Sequence, residues 1–255
     1  MLGLLAASVW AGFFANACLP KRHRTPESMD VVQLANTLLV TFIAIVLGLL
    51  TTSVKSGFDQ AYKARGDYAA KLAQLDSCLR DYGAETAQIR DELRGYVAAV
   101  IASTWPDEPP PQGVSYPDVS KMPLTGESSV LAQLMNRIGM ETLTLTPSNQ
   151  QQRNVMAECV ERYRDATLAR WTVIEGARAS VSTPFYWVLV FWLMILFASF
   201  GLRGAPNPMI LSIIGLCAVA VTAAAFVILD MNDPYGGIFG IPSESMRNAL
   251  ADMMR

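Results

Sequence analysis

The sequence predicts an all-α membrane protein in which a helical soluble domain is inserted between the second and third of four transmembrane helices. The 255-residue chain is 52% hydrophobic and only 16% charged, against about 25% charged residues in ordinary soluble proteins. Its apolar residues are concentrated in four uncharged stretches, and the segment between the second and third stretches shows helical periodicity. No useful length alternates with a period of two, so no sheet is predicted.

The apolar stretches cover residues 2–19, 31–54, 179–202 and 204–229. The last three exceed the about 20 residues that a helix needs to cross a bilayer core. We place the spans at residues 2–19, 31–54, 183–202 and 208–229. The predicted domains are a transmembrane hairpin (1–55), the helical soluble domain (56–178), a second hairpin (179–229) and a C-terminal turn with an amphipathic helix (230–255).

The first stretch is short and has two interpretations. Ala15-Asn16-Ala17 has the form of a signal-peptide cleavage site. However, no basic region precedes the apolar residues, and Lys21, Arg22 and Arg24 follow them directly, where positive charge resists translocation. A retained first span is the favoured interpretation.

The soluble segment contains four predicted helices. Apolar residues recur at mostly three- and four-residue steps from Phe58 to Leu79, including Tyr62, and again from Ile89 to Val100 after a break near Gly83. Residues 105–111, WPDEPPP, are not helical because proline lacks a backbone donor, and the irregular connection continues to about Gly126. A short helix (127–139) and a long one (148–174, with Ser148 as the N-cap) follow.

The distribution of basic residues favours a cytoplasmic soluble domain. Near the span ends, the side that carries the domain and both termini has Lys55, Lys63, Arg65, Lys71, Arg164, Arg170, Arg178 and Arg247. The opposite side has Lys21, Arg22, Arg24 and Arg203. The first set is larger, although the short basic loop between the first two spans favours the opposite orientation.

The sequence lacks the residues that several classes of protein need for their function. His23 is the only histidine, and Cys18, Cys78, Cys159 and Cys217 are scattered without metal-ligand or redox spacing. No glycine-rich phosphate loop or nucleophile motif occurs. The net charge of -2 excludes a basic nucleic-acid surface. The sequence therefore predicts no enzyme, no catalytic residue, no metal site and no cofactor.

The second span carries a polar stripe. Small or polar residues follow one another at three- or four-residue steps: Gln33, Thr37, Thr41, Ala44, Gly48, Thr51 or Thr52, and Lys55. A polar stripe along a span can line a water-filled pore, but small and hydroxylated residues also close helix–helix contacts in membranes. Both interpretations remain open, and oligomerisation reconciles them because identical stripes around an axis form a channel.

A glycine-rich turn follows the last span: Asn232, Asp233, Pro234, Tyr235, Gly236 and Gly237. Pro234 fixes φ and the two glycines permit conformations closed to other residues, so the chain turns sharply here. We expect Tyr235, Ile238, Phe239 and Ile241 to anchor the tail. A short amphipathic helix (243–253) completes it.

This turn resembles the Asn-Pro-Phe-Gly type segment that follows the last span of bestrophins, and more closely that of the bacterial bestrophin-like family. Residues 35–62, ANTLLVTFIAIVLGLLTTSVKSGFDQAY, and the order of spans and helical insert are also similar to that family. The resemblance implies a bestrophin-like fold and a homo-oligomer, a pentamer in bestrophins. It also implies a channel for small anions, with the second spans around the pathway and the stripe residues (Gln33, Thr37, Thr41, Ala44, Gly48 and Thr52) as its lining.

The chain departs from the bestrophin pattern in two ways. Animal bestrophins have a dense acidic run beyond the turn that binds calcium, whereas here Asp230, Asp233 and Glu244 are the only acids nearby, so Asp230 and Asp233 are weak metal-ligand candidates. Bestrophins also narrow the pore with large apolar residues. In this chain such a constriction requires a rotation of the second span that turns Phe42, Ile45 and Leu49 toward the pore.

Two alternative functions remain. A membrane-anchored scaffold or interaction protein would bind a partner through the helical insert and use the spans only as an anchor. A secondary transporter would need broken helices near the midplane, for which Gly48 and Gly215 are the only candidates.

Overall fold

The structure is a computed structural model that describes residues 1–18, 20, 25–120, 122, 127–178, 183–203 and 207–255. Within these residues every regular element is helical and no strand occurs, which confirms the all-α prediction. The helices are α1 (Leu2–Cys18), α2 (Pro26–Tyr82), α3 (Ala87–Thr104), α4 (Ser129–Leu143), α5 (Gln150–Arg178), α6 (Thr183–Arg203), α7 (Pro208–Met231) and α8 (Glu244–Met253). The predicted boundaries at Leu19, Gly126, Ala179 and Gly204 and the basic loop of Lys21, Arg22, His23 and Arg24 lie outside the described residues.

The chain divides into two compact units. The apolar unit comprises Met1–Ser56 and Ser180–Asn232, and the polar unit comprises Gly57–Ala179 and Asp233–Arg255. The C-terminal residues thus belong to the same unit as the helical insert. Helix α2 contributes residues to both units.

Helix α2 joins the second predicted span and the first amphipathic helix into one element of 57 residues. No proline occurs after Pro26 within it, and its glycines are isolated, so nothing in the sequence interrupts the hydrogen-bond ladder. The helix ends at Tyr82, and Gly83 follows with φ 136°, a conformation that favours glycine. The predicted break near Gly83 is confirmed.

The apolar unit contains three described helices that are long and apolar enough to cross a membrane: Glu27–Tyr82, Phe185–Arg203 and Pro208–Met231. Helix α1 is apolar but shorter, at 17 residues. It packs mainly against α6, where the two backbones meet at glycines. A Cβ on Gly12 would overlap the carbonyl oxygen of Ala198, and one on Gly201 would overlap that of Val9. Small residues of this kind permit close contacts between membrane helices.

The polar unit has a continuous hydrophobic core. Its buried side chains come from α2, α3, α4, α5 and α8, and include Leu72, Leu93, Ile138, Cys159 and Met246. A disulfide joins Cys78 of α2 to Cys159 of α5, across a sequence separation of 81 residues. The sequence does not indicate this pair, because the two cysteines become neighbours only when α2 and α5 pack together. Cys18 and Cys217 are free and exposed.

Three local expectations for the polar unit are corrected by the structure. The long helix begins at Gln150, and Asn149 rather than Ser148 caps it: the Asn149 side-chain oxygen accepts a hydrogen bond from the Gln152 backbone N–H at 2.8 Å. Helix α4 begins at Ser129 rather than Glu127, because the Ser128 side chain forms its N-cap. Tyr62 is exposed although it lies among the apolar positions of α2.

Candidate ion pathway and C-terminal turn

The stripe residues of α2 form one exposed band. Gln33, Thr37, Thr41, Ala44, Gly48 and Thr52 are all exposed in the isolated chain. At 3.6 residues per turn they fall within an arc of about 100°. The opposite side of α2 packs into the core of the apolar unit through Leu39, Ile43 and Leu50. The band therefore lies largely outside the packed core of the described apolar unit.

The threonine hydroxyls of the band are hydrogen-bonded to their own helix. Thr37 donates to the carbonyl of Gln33 at 3.0 Å, Thr41 to that of Thr37 at 2.9 Å, and Thr52 to that of Gly48 at 2.9 Å. Each hydroxyl proton is thus satisfied inside the helix, as is common for threonine in membrane helices. Each oxygen keeps acceptor capacity for water on the exposed side.

One end of the band borders a cleft of about 660 Å³ in the apolar unit. Gln33, Thr37 and Thr41 line it on the α2 side, and apolar residues of α7 line it opposite. The Arg203 guanidinium also lines the cleft and donates to the Gln33 side-chain oxygen at 2.7 Å. A fixed positive charge therefore lies at this end of the band.

A second exposed surface of α2 lies beside the polar band. Phe42, Ile45 and Leu49, which a rotation of α2 would turn toward the pore, are 54–67% exposed. They are displaced by about a quarter to a third of a turn from the centre of the polar band. Both candidate linings are therefore exposed in the described chain, and only the packing of several copies would decide which one faces the axis.

The C-terminal turn has a defined hydrogen-bond pattern. The Asp233 Oδ1 accepts from the Gly236 backbone N–H at 3.2 Å, as in an Asx turn. The Ile241 N–H closes a wider loop by donating to the Pro234 carbonyl at 2.7 Å. A Cβ on Gly236 would overlap the Asp233 carboxylate, and Gly237 has φ 72°. Gly237 therefore has a conformation that favours glycine, whereas a side chain at position 236 would require the Asp233 carboxylate to move.

Two of the four expected anchors hold the turn. The Tyr235 ring lies 4.6 Å from the Arg65 guanidinium carbon and edge-on to Trp105, and Ile241 is buried. Ile238 and Phe239 are exposed instead, at 78% and 49%. These two exposed residues lie in the loop between Gly236 and Gly240.

The proline-rich segment after α3 receives the C-terminal residues. The Trp105 indole N–H donates to the Ile241 carbonyl at 2.7 Å. Arg247 donates to a Glu108 carboxylate oxygen at 3.0 Å and to the Pro109 carbonyl at 2.8 Å, and the Ser243 hydroxyl also donates to Glu108. The sequence identified residues 105–111 as irregular but not as this contact surface, because the partners lie more than a hundred residues away.

Helix α8 completes the attachment. Its buried face of Met246, Ala249, Leu250 and Met253 packs against α3, as its amphipathic sequence predicts. Arg94 of α3 donates to the Met253 carbonyl at 2.9 Å. This bond satisfies one of the last carbonyls of the helix, which have no partner inside it.

Lowering the pH is expected to loosen α8 through Glu108. Hydrogen bonds from Ser243, and then Arg247, hold the pKa of Glu108 below its ordinary value. A carboxylate with a depressed folded-state pKa contributes stability above its unfolded pKa of about 4.3 and loses it as the pH falls through the folded value. Hydrogen exchange of residues 244–253, corrected for intrinsic rates, should therefore accelerate between pH 6 and pH 3.

The matched variants are Glu108→Gln and Glu244→Gln. Glu244 is exposed in the first turn of the same helix, so its replacement should leave the pH dependence intact, whereas Glu108→Gln should flatten it. An unchanged profile in Glu108→Gln would contradict this assignment.

The weak metal-ligand candidates have other roles. Asp233 is used by the turn, and Asp230 lies in the last turn of α7. In the part of the chain that the structure describes, no group of three or more His, Cys, Asp or Glu side chains is close enough to hold a metal ion.

A comparison with protein families shows which family shares these features. The sequence pattern of the bestrophin-like domain matches residues 2–246, nearly the whole chain. The chain belongs to this family. The resemblance in the second span and in the C-terminal turn of this bestrophin-like protein is thereby confirmed.

A solved structure supports the same fold. The chain is similar to a crystal structure of a bacterial bestrophin homologue from Klebsiella pneumoniae, determined as a point variant, with a TM-score of 0.68 and 16% sequence identity. The alignment covers 99% of this bestrophin-like chain and 98% of the other. At this identity the likeness establishes the bestrophin fold. No curated protein matches the sequence.

Proposed function

We propose that the protein is an oligomeric ion channel in which the α2 helices of several copies surround the pathway. The observation that carries the proposal is the polar band of Gln33, Thr37, Thr41, Ala44, Gly48 and Thr52, every residue of which is exposed in the described chain. Identical bands around a symmetry axis line a hydrated passage. The bestrophin-like family and fold support a channel-type function.

The proposed assembly is a pentamer in a bacterial inner membrane. In this arrangement helix α1 also spans the membrane, which brings the number of spans to four. It is shorter than about 20 residues, but its close contact with α6 through Gly12 and Gly201 supports its retention. The proposed divisions are the first transmembrane hairpin (1–55), the soluble domain (56–178), the second transmembrane hairpin (179–229) and the C-terminal tail (230–255).

We propose small anions as the conducted species. Arg203, bonded to Gln33, supplies a positive charge at one end of the band. Charge at a pore entrance raises the local concentration of the opposite ion. The band itself contains no acidic side chain that would repel anions.

A transporter mechanism has less support. Secondary transporters usually bind substrate where spanning helices are interrupted. Gly48 lies within the continuous helix α2, and Gly215 lies within the continuous helix α7.

Particle imaging of the protein in nanodiscs, viewed along the membrane normal, tests the assembly. A closed ring of five copies with a central passage is the expected result. A monomer, or a dimer without an axial passage, would refute the channel and leave the scaffold alternative, in which the polar unit binds a partner.

Reversal potentials in a salt gradient across planar bilayers test the ion sign. The expected value lies near the chloride equilibrium potential. Arg203→Gln should reduce anion conductance and selectivity, whereas Arg162→Gln, which removes a charge paired with Glu158 in the polar unit, should change neither. A reversal potential near the cation value would contradict anion conduction.

We propose that the polar unit faces the cytoplasm, as the basic residues predict. Disulfides are rare in the cytosol and common in oxidising compartments. Under this orientation the Cys78 and Cys159 thiols are expected to be reduced in cells and to form the disulfide after exposure to air.

Denaturation of intact cells directly in urea that contains a membrane-permeant maleimide at neutral pH, followed by peptide mass spectrometry, tests this orientation. Modification of both Cys78 and Cys159 is the expected result, because urea exposes the two buried side chains and a thiol reacts as its thiolate. Cys18 and Cys217, which form no disulfide, serve as labelling controls. A pair that is labelled only after reduction would place the polar unit in the periplasm.

A further inference from the structure

The polar unit contains a small cavity with strongly basic walls. Its volume is about 70 Å³, and its lining includes Arg65 of α2, Arg170 of α5 and Tyr235 of the C-terminal turn. Hydroxyl groups of Ser103 and Ser128 also line it. The pore-lining residues proposed above all belong to the other unit.

The two arginines are buried but differ in their partners. Arg65 is 4% exposed and Arg170 is 6% exposed. Arg170 forms an ion pair with Glu127 at 3.2 Å. The Arg65 guanidinium instead lies between two aromatic rings, 5.0 Å from the centre of Trp105 and 4.6 Å from that of Tyr235. The rings offer cation–π attraction but no negative charge.

The neighbouring tyrosines do not neutralise Arg65. Tyr68 and Tyr96, which also line the cavity, are hydrogen-bonded to each other through their hydroxyls. Burial raises the pKa of Tyr68 well above its ordinary value and raises that of Tyr96. Both phenols are therefore neutral at physiological pH. Two guanidinium groups face one carboxylate, Glu127, which leaves one positive charge uncompensated among these groups.

Two hydrogen-bond donors at the cavity also lack partners. In the described part of the chain, the Arg65 Nε and the Tyr235 hydroxyl are buried without any hydrogen bond. Buried donors and charges that remain unsatisfied destabilise a fold strongly, so native structures supply a partner. A ligand that accepts hydrogen bonds and carries negative charge would satisfy both donors and balance the charge of Arg65.

We propose that this cavity binds a small monovalent inorganic anion, such as chloride or bromide, between the Arg65 guanidinium and the Tyr235 hydroxyl. One water needs at least about 10–15 Å³ of such volume, so the cavity accommodates a halide with a few waters but no nucleotide or phospholipid headgroup. The bound anion links α2 to the C-terminal turn within the polar unit. The inference does not depend on the channel proposal.

The test is thermal unfolding of the full chain in nanodiscs, with bromide titrated against gluconate at constant ionic strength. Gluconate is too large for the cavity and controls for screening. The midpoint for the wild-type protein should rise and saturate with bromide. Tyr235→Phe keeps the ring on Arg65 and removes only the hydroxyl, so it should weaken the apparent bromide affinity about tenfold, as expected for the loss of one hydrogen bond to a charged partner.

Arg65→Gln should weaken bromide binding at least as much, and Arg162→Gln should leave it unchanged. If Arg65→Gln does not fold, Tyr235→Phe alone decides. The inference is overturned if the wild-type midpoint shows no saturable response, or if Tyr235→Phe responds as the wild type does. A response that is lost in Arg203→Gln but kept in Tyr235→Phe also overturns it, because the anion would then bind in the apolar unit. Channel activity is measured separately, so its failure would not affect this result.

Discussion

Gly48→Leu is expected to abolish ion permeation without disturbing the fold. Nothing in the described part of the chain lies within 4 Å of a Cβ placed on Gly48, so the new side chain has room in the isolated subunit. In a ring of α2 helices, however, one leucine from every copy would project toward the axis at the same level. Several isobutyl groups at one level replace the hydrated surface with an apolar constriction, and such constrictions close pores by dewetting. Single-channel recordings in planar bilayers should show conductance below detection.

Gly215→Leu is the matched control for this prediction. Gly215 lies in α7, another apolar helix of the same unit, and a Cβ there also meets nothing within 4 Å. The substitution adds the same volume and the same apolar surface outside the band, so conductance should remain close to that of the wild type. Equal losses in both variants would indicate a general effect on the assembly. Full conductance in Gly48→Leu would remove Gly48 from the pathway.

Thr41→Leu addresses the rotation of α2. Thr41 belongs to the polar band, whereas Phe42 belongs to the adjacent apolar surface. If the polar band faces the axis, Thr41→Leu reduces conductance, and Phe42→Ala has little effect. The reverse pattern would assign the narrow part of the pathway to Phe42, Ile45 and Leu49.

Gly12→Val is expected to prevent correct packing of α1 on α6. The added Cβ would overlap the carbonyl of Ala198, a backbone atom that no rotamer change can move. The helices must separate, which removes close contacts along the crossing and uncovers the core around Leu5 and Val9. We expect a destabilisation of about 3 kcal/mol or more, the upper end for overpacked cores. Size-exclusion profiles and thermal scans in detergent should show loss of the monodisperse species.

Gly3→Val separates this effect from a change in helix propensity or hydrophobicity. Gly3 is in the same helix, and a Cβ there meets nothing within 4 Å. The variant should therefore behave as the wild type. If Gly12→Val were equally well folded, the α1–α6 contact would not be needed for the assembly, and a role for α1 as a structural span would lose its main support.

The fold class was accessible from the sequence because its signals are local. Uncharged stretches of spanning length, helical periodicity and the break near Gly83 depend on residues within one or two turns of each other. The amphipathic helix α8 and the sharp C-terminal turn were predicted for the same reason: Pro234, Gly236 and Gly237 restrict or permit backbone conformations where they stand. The small shifts at Ser128 and Asn149 reflect a choice between adjacent capping residues, which local preference does not resolve.

Other properties of this protein were decided only by tertiary structure, because they join residues that are far apart along the chain. The Cys78–Cys159 disulfide, the glycine crossing of α1 and α6, and the attachment of Arg247 to Glu108 all arise when helices pack. The environment of Arg65 is the clearest case. Arg65 stands three residues from both Tyr62 and Tyr68, among the apolar positions of α2, and Trp105 and Tyr235 cover it from segments about 40 and 170 residues away. The sequence determined where helices and turns form, since hydrophobic length and backbone restriction act locally; packing determined which charges lost their water and which residues replaced it.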